Sequence, residues 1–132
     1  MSQKINSYVT GVQHIGIPTN NITDTIAFYQ AIGFEVIMET VNEAVGEKVA
    51  FLQNKNLVIE TYETGNATLK VGAIDHISID VTDVDAVFEL VGTRFKSLDK
   101  EVQALPFWEK GVKFFTILGP NQEKIEFCER IK

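Results

Sequence analysis

Residues 9 to 18 (Val-Thr-Gly-Val-Gln-His-Ile-Gly-Ile-Pro) alternate in a way that suits a strand, and Pro18 with Asn20-Asn21 supplies its exit. The spacing then becomes helical. Ile22, Ile26 and Tyr29 fall on one face, Asn21 suits the N-cap, and Gly33 sits where a C-terminal stop belongs. Strand patterns follow at 34–41, 47–53 and 57–63, with turns at Gly46 and Asn54-Lys55-Asn56. Residues 64–72 read as a linker, after which the same order returns. It runs through a strand at 73–82, Asp83 as N-cap, and a helix whose Val84, Val87, Phe88 and Val91 share a face. Strands near 95–103, 112–118 and 123–130 complete it, the last two joined by Gly119-Pro120-Asn121-Gln122.

The recurrence is visible in letters as well as in pattern. Val12-Gln13-His14-Ile15-Gly16-Ile17 matches Ile74-Asp75-His76-Ile77-Ser78-Ile79: apolar, polar, His, Ile, small, Ile. Ile59-Glu60-Thr61-Tyr62-Glu63 matches Ile125-Glu126-Phe127-Cys128-Glu129. The first pair opens each copy and the second closes it. The chain therefore reads as an α+β protein of two tandem βαβββ modules, about 9–63 and 73–131, within one domain spanning 1–132.

A net charge of -6 argues against nucleic-acid binding, which draws on Lys and Arg. The single cysteine, Cys128, forms no internal disulfide, and the opening Met1-Ser2-Gln3-Lys4 carries no basic-then-apolar leader, so cytoplasmic residence is expected. No apolar run approaches the roughly 18 residues a membrane span needs. The expected partner is a small molecule, with no nucleic acid and no membrane.

Strand alternation turns Ile15 and Ile17 to one face and His14 to the other, and does the same for Ile77 and Ile79 against His76. With the isoleucines packed under the following helix, both histidines stand on the uncovered face. Glu60 and Glu126 each follow an isoleucine and project from that same face. A lone strand histidine is ordinarily structural and a lone strand glutamate ordinarily solvated; these, however, are the chain's only two histidines, and both fall at the same place in the repeat. His14, Glu60, His76 and Glu126 are thus expected to converge on one divalent ion. Imidazole and carboxylate donors suit Ni, Zn, Co, Mn or Fe better than Ca or Mg.

Other residues carry less. Glu63 and Glu129 recur but fall on the opposite face, where they are expected to be solvated. Cys128 shares a face with Glu126 and reads as an inert packing residue. Glu43 and Glu47, between the second and third strands, are turn surface within reach of a substrate. Phe107 and Trp108 lie in an apolar loop, 104–111, of the kind that covers a pocket. None of the glycines forms a phosphate-binding loop.

These features resemble the vicinal oxygen chelate superfamily, which includes glyoxalase I, bleomycin resistance proteins, methylmalonyl-CoA epimerase and extradiol dioxygenases. The resemblance rests on His14-Ile-Gly-Ile-Pro, Ala27-Phe28-Tyr29 and Gly33-Phe34, and on Gly119-Pro120-Asn121 with Ile125-Glu126-Phe127. It implies an open cup-shaped eight-stranded mixed sheet with helices outside, usually in a homodimer. It also implies that His14, Glu60, His76 and Glu126 fill the four metal slots of glyoxalase I-like members. Where those enzymes often carry arginine four residues after the first histidine, this chain has Pro18. The implied activity is a metal-dependent lyase or isomerase of glyoxalase I type, moving a proton next to a carbonyl through an enediolate, with Glu126 and then Glu60 as the catalytic base. The alternatives are a methylmalonyl-CoA epimerase-like isomerase and a non-catalytic antibiotic-binding protein of the bleomycin resistance type.

Overall fold

The computed structural model describes residues 5–132. Its first half contains β1 (Ile15–Thr19), helix α1 (Ile22–Ala31), β2 (Glu35–Asn42), β3 (Glu47–Asn54) and β4 (Leu57–Glu63). The second half repeats the order: β5 (His76–Asp80), α2 (Val84–Val87) continued by a π-helical turn (Phe88–Gly92), β6 (Gln103–Leu105), β7 (Val112–Leu118) and β8 (Lys124–Arg130). The strands form two four-stranded mixed sheets of identical topology, β1-β4-β3-β2 and β5-β8-β7-β6. In each, the first and last strands of the module run parallel and the other pairs antiparallel.

Three strands, β1, β5 and β6, are shorter than expected, and for β1 and β6 the reason is identifiable. The parallel register sets Ile15 against Ile59. Continuing it upstream would place residues 9–12 against the β3–β4 turn, where Lys55 has φ 56 and no ladder exists to join. The segment 95–103 makes only a bridge between Ser97 and Ile117 before β6. Asp99 breaks it: its carboxylate accepts the Thr116 N–H at 2.9 Å, occupying a donor that a continued strand would have used.

The helix starts form as the sequence suggests. Asn21 Oδ1 accepts the Asp24 N–H and Asp83 Oδ1 accepts the Ala86 N–H, each at 3.1 Å. Gly33, at φ 99, ends α1 in the left-handed backbone region that glycine adopts freely. The expectation that Glu63 and Glu129 are solvated is overturned. Glu63 Oε2 accepts the Ile22 N–H at 2.8 Å, and Glu129 Oε1 accepts the Val84 N–H at 3.0 Å. Both stand on the helix side of the last strand, where the unpaired N–H groups and positive dipole end of the same module's helix need an acceptor.

One hydrophobic core runs through both halves, from Ile17, Tyr29, Leu52 and Ile59 to Phe115, Ile117 and Ile125. The halves join where α1 meets the β7–β8 hairpin and the segment after the π-helical turn. Phe28 meets Phe95 edge-on at 5.2 Å, Tyr29 donates its hydroxyl to Glu123 Oε2 at 3.0 Å, and Asn121 Nδ2 donates to Thr25 Oγ1 at 3.0 Å. Among the described residues, no strand of one sheet pairs with a strand of the other.

Two outcomes test this packing. Glu129→Ala should cost about 1 kcal/mol, or roughly 4 °C in melting temperature, through loss of the helix cap; an unchanged melt would show that the cap contributes nothing. Burial, with Glu123 beside it, raises the Tyr29 hydroxyl well above its ordinary value of 10.0. The unfolded chain therefore releases this proton first, so stability is fully present below about pH 10 and declines as pH rises beyond it. Denaturation midpoints at pH 8 and pH 11 should differ less in Tyr29→Phe than in the parent protein, and an equal difference would remove Tyr29 from this role.

Candidate metal centre

The parallel pairing of β1 with β4 sets Gly16 opposite Glu60. His14, two residues upstream of Gly16, lies on the same face as Glu60 and diagonal to it. The pairing of β5 with β8 reproduces this arrangement, with Ser78 opposite Glu126 and His76 two residues upstream. His14 Nε2 stands 3.4 Å from Glu60 Oε1, and His76 Nε2 stands 3.9 Å from Glu126 Oε2. The isoleucines that alternate with these residues point into the core, Ile17 at 8% exposure and Ile59 and Ile125 at 0%.

Each imidazole is also held from behind. His14 Nδ1 lies 2.9 Å from Gln13 Oε1, and His76 Nδ1 lies 3.0 Å from Asp75 Oδ2. With the proton on Nδ1 and donated to these oxygens, the lone pair of Nε2 faces the glutamate, which is the tautomer a metal ligand needs. Asp75 is fixed in turn by Lys124 Nζ at 3.1 Å, and its carboxyl is held below the usual range, first by the His76 hydrogen bond and then by that of Lys124. The Phe51 ring meets His14 edge-on at 5.3 Å.

The surroundings of the two pairs differ. Glu126 Oε1 accepts a 2.7 Å hydrogen bond from Ser78 Oγ. The corresponding place in the first module is Gly16, where an added Cβ would lie 3.4 Å from the Tyr62 ring and 3.8 Å from Glu60 Oε1. These are ordinary van der Waals distances, so Gly16 leaves Glu60 without the hydroxyl partner that Ser78 gives Glu126, although a small side chain would fit.

The four predicted ligands are gathered as two pairs, one on each sheet. Among the described residues, no group of three or more His, Cys, Asp or Glu is placed to hold a metal ion. Each pair offers one imidazole nitrogen and one carboxylate oxygen, a donor set that fits half of a site for a divalent transition metal. Cys128 shares the open face of β8 with Glu126; burial pushes its thiol up, and Glu126 and Asp80 push it further, so the reactive thiolate is disfavoured. Glu43 lies in the β2–β3 turn, Glu47 opens β3, and Phe107 and Trp108 are 55% and 65% exposed in the loop before β7.

Several contributors were not singled out from sequence. Gln13 and Asp75 occupy the polar position before each histidine, so the repeat itself carried that signal. Ser78 had none beyond its small size. The linker was read only as a connection, yet Leu69 and Lys70 line a cavity of about 200 Å³ together with Gly16 and His76.

A family model described as the Glyoxalase/Bleomycin resistance protein/Dioxygenase superfamily matches residues 11–127. No curated protein matches the sequence. The fold is similar to that of a glyoxalase family protein from Enterococcus faecalis, with TM-score 0.76 at 17% identity over 92% of this chain and 99% of that one. It is similar to a glyoxalase/bleomycin resistance protein/dioxygenase from Alicyclobacillus acidocaldarius, with TM-score 0.71 at 15% identity over 93% of each chain. It is also similar to the fosfomycin resistance protein FosX from Listeria monocytogenes, complexed with Mn(II) and sulfate ion, with TM-score 0.69 at 19% identity over 93% and 94%.

Proposed function

This chain belongs to the glyoxalase/bleomycin resistance protein/dioxygenase superfamily, and from that premise we propose that it is a divalent-metal-dependent lyase or isomerase of glyoxalase I type. The observation that carries the reading is the pair of pseudo-equivalent His–Glu contacts, at 3.4 and 3.9 Å, each with the histidine Nδ1 held by the preceding residue. His14, Glu60, His76 and Glu126 would hold one Ni, Zn, Co, Mn or Fe ion. The Mn(II) in the FosX structure supports a divalent ion in this fold.

Since the two pairs lie on separate sheets, the reading includes a homodimer in which the first-module pair of one chain faces the second-module pair of its partner. The ion would supply positive charge beside the substrate oxygens, where negative charge gathers as a proton leaves the neighbouring carbon. The chain's own part is to orient the substrate between the open sheet faces and to move that proton. Glu126 is assigned as the base. Ser78 donates to its Oε1 and orients the carboxylate, a contact that Gly16 cannot give Glu60. Glu60 is the second choice.

The substrate is a small molecule with a carbonyl and a vicinal oxygen. The charge of -6 supports no nucleic-acid partner, no helix among the described residues is long and apolar enough to cross a membrane, and cytoplasmic residence completes the reading. A second reading, sequestration of a small molecule without chemistry, draws on the exposed Phe107 and Trp108. It differs in that chelation would leave ligand binding intact.

Elemental analysis after loading with Ni or Mn should give about one ion per chain, lost in His76→Ala, with affinity lowered about 10-fold in Asp75→Ala through the weakened outer contact. Glu126→Gln should slow turnover of a methylglyoxal hemithioacetal at least about 100-fold while the protein stays folded. Failure to take up metal after loading would end the metalloenzyme reading, and full turnover in Glu126→Gln would remove Glu126 as the base.

A further inference from the structure

We propose that Arg130, seated on the ring of Trp108, receives an anionic group at the far end of the substrate. The inference rests on the reading of the open sheet face as the substrate site and adds the class of molecule that fits it. Glu126, Cys128 and Arg130 alternate along β8 and so project from one face. Arg130 lies four positions after Glu126, a Cα span of about 13 Å at roughly 3.3 Å per residue. The open face thus has a proton-transfer group in the middle of β8 and a cation at its end.

The Arg130 guanidinium carbon lies 4.3 Å from the centroid of the Trp108 ring. A guanidinium stacked on a ring keeps its edge N–H groups free to grip two oxygens of a carboxylate or phosphate. Among the described residues no carboxylate forms an ion pair with Arg130, whereas Lys124 on the same strand face is paired with Asp75 and Lys113 with Asp85. In a chain of net charge -6 that leaves an immobilised and unneutralised cation on the face that carries Glu126.

The loop is shaped to present the ring. Trp108 has φ 64, a left-handed backbone that a bulky L-residue rarely adopts, and Gly111 follows at φ 88. Val112, the cross-strand neighbour of Arg130, is 5% exposed, and the Ile131 N–H donates to Gly111 O at 3.0 Å, tying the loop to the end of β8. The substrate class is therefore an extended molecule with the reacting oxygens at one end and a carboxylate or phosphate-like group at the other, the two residues that meet them having Cα atoms about 13 Å apart along β8.

The test uses three probes of one chain length in titration calorimetry: suberic acid monohydroxamate, its phosphonate-ended analogue and its uncharged amide. Each is titrated into Mn-loaded and chelator-stripped protein. The parent protein should bind the charged probes about 10-fold more tightly than the amide, in keeping with one charge-assisted contact, and the stronger of the two identifies carboxylate or phosphate as the natural group. Arg130→Gln should erase the preference without changing amide affinity, metal content or melting temperature. Trp108→Phe should keep the preference, and Trp108→Ala should lose most of it. Equal binding of acid and amide by the parent protein, or an undiminished preference in Arg130→Gln, overturns the proposal. Stripping should weaken all three probes alike; a preference that persists in protein that takes up no metal would uphold the anion site while removing the metalloenzyme reading.

Discussion

The structure depends on the parallel pairing of the first and last strands within each module. This pairing fixes which residue of the last strand lies beside the histidine that precedes or opens the first, and the same register occurs twice, as Gly16 with Glu60 and Ser78 with Glu126. Because side chains alternate with period two, a slip of one residue would turn Glu60 and Glu126 into the core and expose Ile59 and Ile125. The burial of those isoleucines thus specifies the register, and the register specifies the candidate ligand pairs. Core packing and site geometry are one constraint seen from the two faces of a sheet.

The second determinant is the way the halves meet. Tyr29 with Glu123 and Asn121 with Thr25 lock α1 to the β7–β8 hairpin, and Phe28 against Phe95 ties it to the segment after the π-helical turn. This junction is made on the helix side and leaves the edges of β1 and β5 unpaired with each other among the described residues. A chain built this way presents two half-sites, which is why the proposed centre is assigned to two chains. In a chain of net charge -6, the role proposed for Arg130 is to supply positive charge at one point of that site.

Much of the fold was legible because the sequence repeats itself. The element order, Asn21 and Asp83 as caps, Gly33 as a stop and the strand 57–63 all follow from local pattern, and each reappears in the structure. What was missed is non-local or conditional. Glu63 and Glu129 were placed correctly on the face opposite Glu60 and Glu126; their role as helix caps depends on where the start of the module's own helix, more than 40 residues earlier, lies in space. The break at Asp99 depends on a hydrogen bond to Thr116, 17 residues away, that local β-propensity does not report. The His–Glu pairing was legible from recurrence, whereas the separation of the two pairs follows from a tertiary junction that strand periodicity does not encode.

The central claim, that the two pairs are halves of one centre, is tested most directly by metal analysis of a mixed dimer. One chain would carry His14→Ala with Glu60→Ala, the other His76→Ala with Glu126→Ala, and the mixed species would be purified through two different tags after co-expression. The account predicts that neither variant alone retains metal and that the mixed dimer holds about one ion, at the single centre where both intact pairs meet. A mixed dimer as free of metal as its parents would contradict it.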